Sequence, residues 1–357
     1  MMKTIGIVTF TTGDNFGQRL QNLALQQVLS SFKCNVFTIR KHDFRLSNRY
    51  WIKKQIKSLL DKETRASILR HDCFENFDKQ FIQYYGTNIS LNYIPPKLIK
   101  EFDAFIAGSD QVWNPNSDDV DDINFLTFAN DEQKFSYAAS LAVDSIPKEK
   151  EDKFRERLCG YRSISLRENN LEDKIRELSN AEVCTVLDPT LLLSPGDWIQ
   201  YECKPKWYKG QNYILKYFLG NEEEEQLLRI AKDKNLIVID VMDKKSECYI
   251  SGPSEFIYLI HNASYIVTDS YHGTIFSLLF KKKFALVQRK DSICSMKSRF
   301  NTLFQCLGIP FEDTNIEALM NDSCLDYDGI IHKNLQTEKE KSLRYLKNIV
   351  TDVSNLK

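Results

Sequence analysis

The sequence predicts an α/β protein of two Rossmann-like lobes with a cleft between them. Three observations predict it. Short β-branched apolar runs alternate with helix-patterned stretches along most of the chain. The runs end in Gly, Asp, Asn or Arg just before the next helix, where open parallel sheets bind ligands. The length, 357 residues, exceeds what one core usually holds, so two domains are expected.

Composition narrows the function classes. Apolar content is 42%, enough for a real core, and the formal net charge is −1. That balance argues against a general nucleic-acid surface, so an anionic ligand would need locally placed cations. Nine cysteines are scattered with no C-x-x-C pair. This fits reduced thiols in a cytoplasmic protein, with neither a disulfide framework nor a zinc site. The opening MMKTIGIVTF runs straight into a strand-like segment without a signal-peptide core. No apolar run approaches the roughly 18 residues of a membrane span.

In chain order, residues 4–10 read as a buried strand, and TTGDNFGQ (11–18) as a turn broken by Gly13 and Gly17. A helix follows with Leu20, Leu23, Ala24 and Val28 on its buried side, then a strand over 35–39. The glycine spacing is not G-x-G-x-x-G, so no dinucleotide fingerprint is present. Residues 48–81 are basic and helical in pattern, with Trp51, Ile52, Ile56, Leu59 and Leu60 on one face. Apolar residues beside Lys53, Lys54 and Lys57 describe either a membrane-surface helix or a solvated helix packed on its own domain.

FDAFIA (102–107) is a strand delivering GSDQVWNP. Asp110 and Gln111 there could hydrogen-bond hydroxyls, and Trp113 could offer a flat face to a sugar ring; a packed Asx turn is the plainer alternative. Strands are expected over 135–141, 163–166 and 183–187. The second of these brings Arg167 to its carboxyl end, where a planar fork suits a carboxylate or phosphate. Ser194 to Trp198 reads as the interdomain link and a helix entry. The alternation then resumes, with strands over 212–218 and 236–241 and helices over 222–232 and 253–262. The domain boundaries expected are 1–193, 194–335 and a C-terminal helical segment 336–357.

The chain is organised around ASYIVTDSYHGTIFSLLFKKKFALV (263–287). Tyr265 to Val267 is a strand, Asp269 to Gly273 a turn, and Ile275, Leu278 and Leu279 a helix face. His272 thus sits at a helix mouth whose free N–H groups attract an anion, and it can move a proton near neutral pH. Gly273 would permit close backbone approach to a ligand. A histidine that only packs or caps is the plainer alternative.

The motifs GIVTF…NFGQRLQNLALQQVL, FIAGSDQVWNP, SISLREN, VLDPTLLL, VTDSYHG and SRFNTLF occur in one order. In this the sequence resembles the polysaccharide pyruvyl transferase family, from about Ile5 to about Ile309. The resemblance implies a fold similar to the two-lobed GT-B glycosyltransferases. It also implies transfer of the enolpyruvyl group of phosphoenolpyruvate onto a sugar of a surface polysaccharide, such as a capsule or exopolysaccharide, to form a pyruvate ketal. His272 matches the family's catalytic histidine, with Asp269 beside it to orient it or cap the turn. Arg167 matches the arginine that contacts phosphoenolpyruvate. Ser270, Gly273, Thr274, Arg299 and Lys216 complete the expected donor side in the second lobe. Asp110, Gln111, Trp113 and Asn15 form the expected acceptor side in the first lobe. Several family members carry Arg where this chain has Ser270. Lys216, Arg289 or Arg299 would have to replace that cation. No metal and no cofactor is expected. The partners expected are phosphoenolpyruvate and a sugar acceptor, lipid-linked at the inner membrane face, with no nucleic acid. The rival readings are a nucleotide-sugar glycosyltransferase of the same fold and a non-catalytic glycan-binding protein.

Overall fold

The computed structural model describes residues 2–42, 48–59, 61–220, 224–287, 297–321 and 325–355. Among them, ten strands form two sheets. The first contains β1 (Thr4–Val8), β2 (Asn35–Thr38), β3 (Ala104–Ala107), β4 (Lys134–Ser136), β5 (Ser163–Leu166) and β6 (Glu182–Thr185), in the order β2-β1-β3-β4-β5-β6. The second contains β7 (Tyr213–Tyr217), β8 (Ile237–Asp240), β9 (Tyr265–Thr268) and β10 (Phe284–Leu286), in the order β10-β9-β7-β8. Every pairing in both sheets is parallel. All the carboxyl ends of a sheet therefore gather along one edge, where ligands bind in such folds.

Helices cover the faces, as parallel sheets require. In the first half they are α1 (Phe16–Ser31), α2 (Asn48–Ser58), α3 (Lys62–Phe81), α4 (Leu98–Glu101), α5 (Lys148–Leu158) and α6 (Glu172–Ser179). The connecting segment holds α7 (Pro195–Ile199), where Ser194 and Asp197 form a capping box and Pro195 occupies the first turn. The second half has α8 (Glu224–Asp233), α9 (Pro253–Asn262), α10 (Tyr271–Leu279), α11 (Lys297–Leu307), α12 (Ile316–Met320) and α13 (Ile330–Asn355). No helix of the described residues is long and apolar enough to cross a membrane.

Leu20, Leu23 and Ala24 of α1 are fully buried, as their spacing predicts. The strand expected over 135–141 stops at Ser136. Beyond it Ala138 and Ala142 adopt positive φ, which breaks the regular strand, although Ala139 still bridges to Asp110 and Leu166.

Two helices cross the expected boundary between halves. Phe16 of α1 stacks on Phe74 of α3 at 5.2 Å and on Phe256 of α9 at 4.2 Å. Arg70 of α3 donates to Val241 O at 3.1 Å and Tyr249 O at 2.7 Å, both in the second half. In return α13 covers the first sheet. Tyr345 donates to Ser136 O at 2.9 Å, and Ser342 Oγ accepts from Leu187 N at 2.9 Å. One apolar core runs through both sheets as a result.

Candidate active site

His272 is placed by the turn between β9 and α10. Ser270 caps α10, its hydroxyl accepting from Gly273 N at 3.4 Å, and Thr274 Oγ1 donates to Ser270 O at 3.1 Å. A β-carbon at Gly273 would lie 2.4 Å from Thr268 Oγ1, so this glycine lets the helix close onto its own strand. The ring of His272 faces the start of α1, where a β-carbon on Gly17 would come within 2.0 Å of Nδ1. Asn15 caps α1 there, accepting from Gln18 N at 3.2 Å.

The other face of the imidazole meets a carboxylate. Asp188 follows β6, and its Oδ1 accepts from Thr190 N at 2.9 Å and from the Thr190 hydroxyl at 2.6 Å. Asp188 Oδ2 is thereby aimed inward. It lies 2.9 Å from a terminal nitrogen of Arg167 and 3.4 Å from His272 Nε2. Arg167 and His272, which come from different sheets, share one oxygen atom. Arg167 also reaches Ser109 Oγ at 2.5 Å and Asp110 at 3.6 Å. Burial opposes the Arg167 charge, but Asp188 and Asp110 outweigh it and raise the guanidinium pKa. Burial also opposes the Asp188 charge, yet Arg167 and then His272 hold its carboxyl well below the usual range.

A second guanidinium stands beside the first. Arg299, in the first turn of α11, is buried, and its guanidinium carbon lies 5.4 Å from the Tyr271 ring centroid. That of Arg167 lies 5.2 Å from the same centroid. Burial and then the nearby Arg167 lower the Arg299 pKa. The Gln111 carboxamide, oriented with its oxygen toward Arg299, accepts from both terminal nitrogens at 2.9 and 3.2 Å. Burial first, and then Asp188 against the arginines, keeps Tyr271 a neutral phenol. Thr302, one turn along α11, donates to Asn169 Oδ1 at 3.0 Å and so ties that helix to the end of β5. The cluster is closed, with the Arg167 and Asp188 side chains fully buried.

The structure therefore gathers Arg167, His272, Ser270, Gly273, Thr274, Arg299, Asp110, Gln111 and Asn15 where the carboxyl ends of the two sheets meet. Two expectations are corrected. Trp113 is fully buried, stacked on Phe125 at 5.4 Å with its Nε1 on Asn124 O, so neither face is open to a sugar. Asp269 does not orient His272. Its oxygens accept from Leu219 N and Gly220 N, tying β9 to the end of β7, and the carboxylate on the imidazole is Asp188. Lys216 pairs with Asp240 at 3.1 Å across β7 and β8. Arg289 lies outside the described residues. Sequence reading missed the roles in this cluster of Asp188, Tyr271 and Ser109. The one available signal for Asp188 was a carboxylate ending a strand inside VLDPTLLL.

A family model described as polysaccharide pyruvyl transferase matches residues 15–291, a span that includes Asn15, Arg167, Asp188 and His272. The chain belongs to the polysaccharide pyruvyl transferase family. Arg299, the second buried guanidinium, falls outside the matched span of this pyruvyl transferase family member. No curated protein is significantly similar to it in sequence. Solved structures similar in overall shape include UDP-GlcNAc 2-epimerase from Neisseria meningitidis bound to UDP-GlcNAc, at 9% identity and TM-score 0.49 over 100% of both chains. S. aureus MnaA with UDP follows at 12% and 0.46 over 98% of both. Arabidopsis thaliana UGT89C1 stands at 12% and 0.43 over 100% of this chain and 98% of that one. These neighbours are GT-B glycosyltransferases and epimerases.

Proposed function

We propose that this transferase moves the enolpyruvyl group of phosphoenolpyruvate onto a sugar of a surface polysaccharide precursor and closes it into a pyruvate ketal. The observation that carries the reading is the cluster at Asp188: a proton-transfer group, His272, sharing one carboxylate oxygen with a buried guanidinium, and a second guanidinium alongside. Phosphoenolpyruvate carries a carboxylate and a phosphate, and two forked cations match two anionic groups. Arg299 supplies the cation that Ser270 cannot.

The chemistry needs one proton delivered to the methylene carbon while a sugar hydroxyl adds to the central carbon. The carbon–oxygen bond to phosphate then breaks, and a second hydroxyl adds to the same carbon. Of the two hydroxyl protons, one replaces the proton spent on the methylene and one leaves with phosphate. His272 is the group suited to give and regain the first proton. Asp188 orients it at Nε2, leaving Nδ1 toward the start of α1. On this reading the acceptor enters from the first lobe, past Asn15, Asp110 and Gln111, in the cytoplasm, carried on a lipid at the inner membrane face.

The test is incubation of the purified chain with phosphoenolpyruvate and a panel of lipid-linked sugars, read by mass. A ketal adduct with phosphate release is expected. His272→Gln, which keeps a hydrogen-bond donor, should lower kcat about 10²-fold or more with donor affinity little changed. Stabilisation against heat by a nucleotide sugar and not by phosphoenolpyruvate would favour glycosyl transfer instead.

A further inference from the structure

We infer that α2 docks this chain on an anionic bilayer, holding the mouth of the candidate site toward the lipid surface. Residues 48–60, NRYWIKKQIKSLL, carry Arg49, Lys53, Lys54 and Lys57 and no acidic residue, in a chain whose net charge is −1. The helix turns Trp51 inward and an apolar ridge outward. Ile52, Ile56 and Leu59, at helical spacing, are 57%, 63% and 83% exposed. Lys53 and Lys57 project beside that ridge and are exposed as well. Between α2 and α3 a groove of about 480 Å³ gathers Lys53, Lys54 and Lys57 with Lys244 from the second half. Asp61 and Glu63 also line it. The Asp61 carboxylate caps α3, accepting from Glu63 N and the Thr64 hydroxyl, and its Oδ2 lies 3.9 Å from Lys57 Nζ, whose side chain is still 71% exposed. A helix with an apolar ridge and a flanking row of lysines lies in the interface plane, its ridge in the acyl boundary and its ammonium groups among anionic headgroups.

A second copy of this chain fits the surface poorly. A two-fold contact through α2 would set one lysine row against the same row of its partner.

The helix is also coupled to the site. Trp51 packs on His71 at 4.4 Å between ring centroids, and His71 Nδ1 lies 2.8 Å from Asp14 Oδ1. Asp14 immediately precedes Asn15, the cap of α1, whose first turn holds Gly17 against His272. A bilayer under α2 therefore lies beside the entrance assigned to the acceptor. This inference rests on the transfer reading only for its purpose, delivery of a lipid-carried sugar, and not for the binding itself.

Flotation of the full chain, without donor or acceptor, tests it. Vesicles of equimolar phosphatidylglycerol and phosphatidylcholine should carry the protein at low salt. Binding should fall about tenfold or more on pure phosphatidylcholine and in about 0.5 M salt. Lys53→Glu with Lys57→Glu, and separately Ile52→Glu with Ile56→Glu, should each weaken flotation about tenfold or more. Both pairs are exposed, so melting temperature and turnover of a water-soluble acceptor should stay as in the parent. Absence of flotation at low salt overturns the inference. So does equal flotation of parent and both variants. Competition by millimolar glycerol phosphate would mark the groove as a small-anion site and overturn it too, as would a dimer in solution that the isoleucine variants dissociate. Because flotation is read without substrates, its failure leaves the transfer reading standing, and failure of transfer leaves the docking result intact.

Discussion

At position 17 a β-carbon would lie 2.0 Å from His272 Nδ1. Alanine in a helix ordinarily gains about 1 kcal/mol over glycine. Here the imidazole or the whole first turn of α1 must move to admit it. Gly17→Ala should thus keep its melting temperature within a few degrees yet lose about 10²-fold in kcat, since an ångström of displacement costs that much. Near-parental kcat in steady-state assays would show that the ring does not work in its present position. Asp188 makes the opposite case, a side chain whose charge both Arg167 and His272 use. Its folded pKa is depressed, so its contribution to stability is present above the ordinary carboxylate range near 4 and is lost only as pH falls through the lower folded value. Asp188→Asn removes the nearer of the two carboxylates on the buried Arg167 guanidinium and leaves it only Asp110 at 3.6 Å, a loss of up to about 3–5 kcal/mol. The gap in melting temperature between parent and variant should not shrink from pH 8 to pH 5. Thermal melts across that range check this, and a gap that closes by pH 5 would mean the carboxyl is already protonated there.

At the scale of elements, much was legible because each signal was local. The strand at 163–166 and the helix at 253–262 fall where the pattern puts them. Arg167 and His272 were readable because each follows a strand, and strand ends in parallel sheets converge. Asp188 was not readable as a partner of His272, because the two lie 84 residues apart in sequence and meet through packing of two sheets. Trp113 was misread for a related reason: a tryptophan in a polar loop gives no sign of which face its neighbours will cover. α11 shows what a helix contributes once placed. Arg299 and Thr302, one turn apart, bring a guanidinium to the cluster and fasten the helix to Asn169. Arg299→Ala should raise KM for phosphoenolpyruvate by about 10- to 100-fold, the worth of a charged hydrogen-bond set, with a smaller effect on kcat. Arg299→Lys should recover only part of it, because an ammonium cannot fork. Steady-state kinetics at saturating acceptor decides, and an unchanged donor KM would remove Arg299 from the donor site.

For the whole molecule, the chain divides by sheet but not by core. Arg70 is buried, stacked 4.5 Å from the centroid of Phe16 and bound to two carbonyls of the second half. Arg70→Ala should cost about 2–5 kcal/mol, since both carbonyls lose a buried donor. Parent and variant alike should unfold in a single transition, coincident by tryptophan fluorescence and far-UV circular dichroism in urea. Two separated transitions would show that the halves melt independently. The return of α13 to the first sheet bears on the order in which the protein can be completed at the ribosome. The buried N–H of Leu187 finds its partner in Ser342, 155 positions later, and Ser136 O meets Tyr345. Although its strands emerge first, the first half stays unsealed through synthesis of everything that follows. It closes only when residues 330–355 arrive, so the nascent chain exposes its β5–β6 edge longest and depends there most on protection from aggregation.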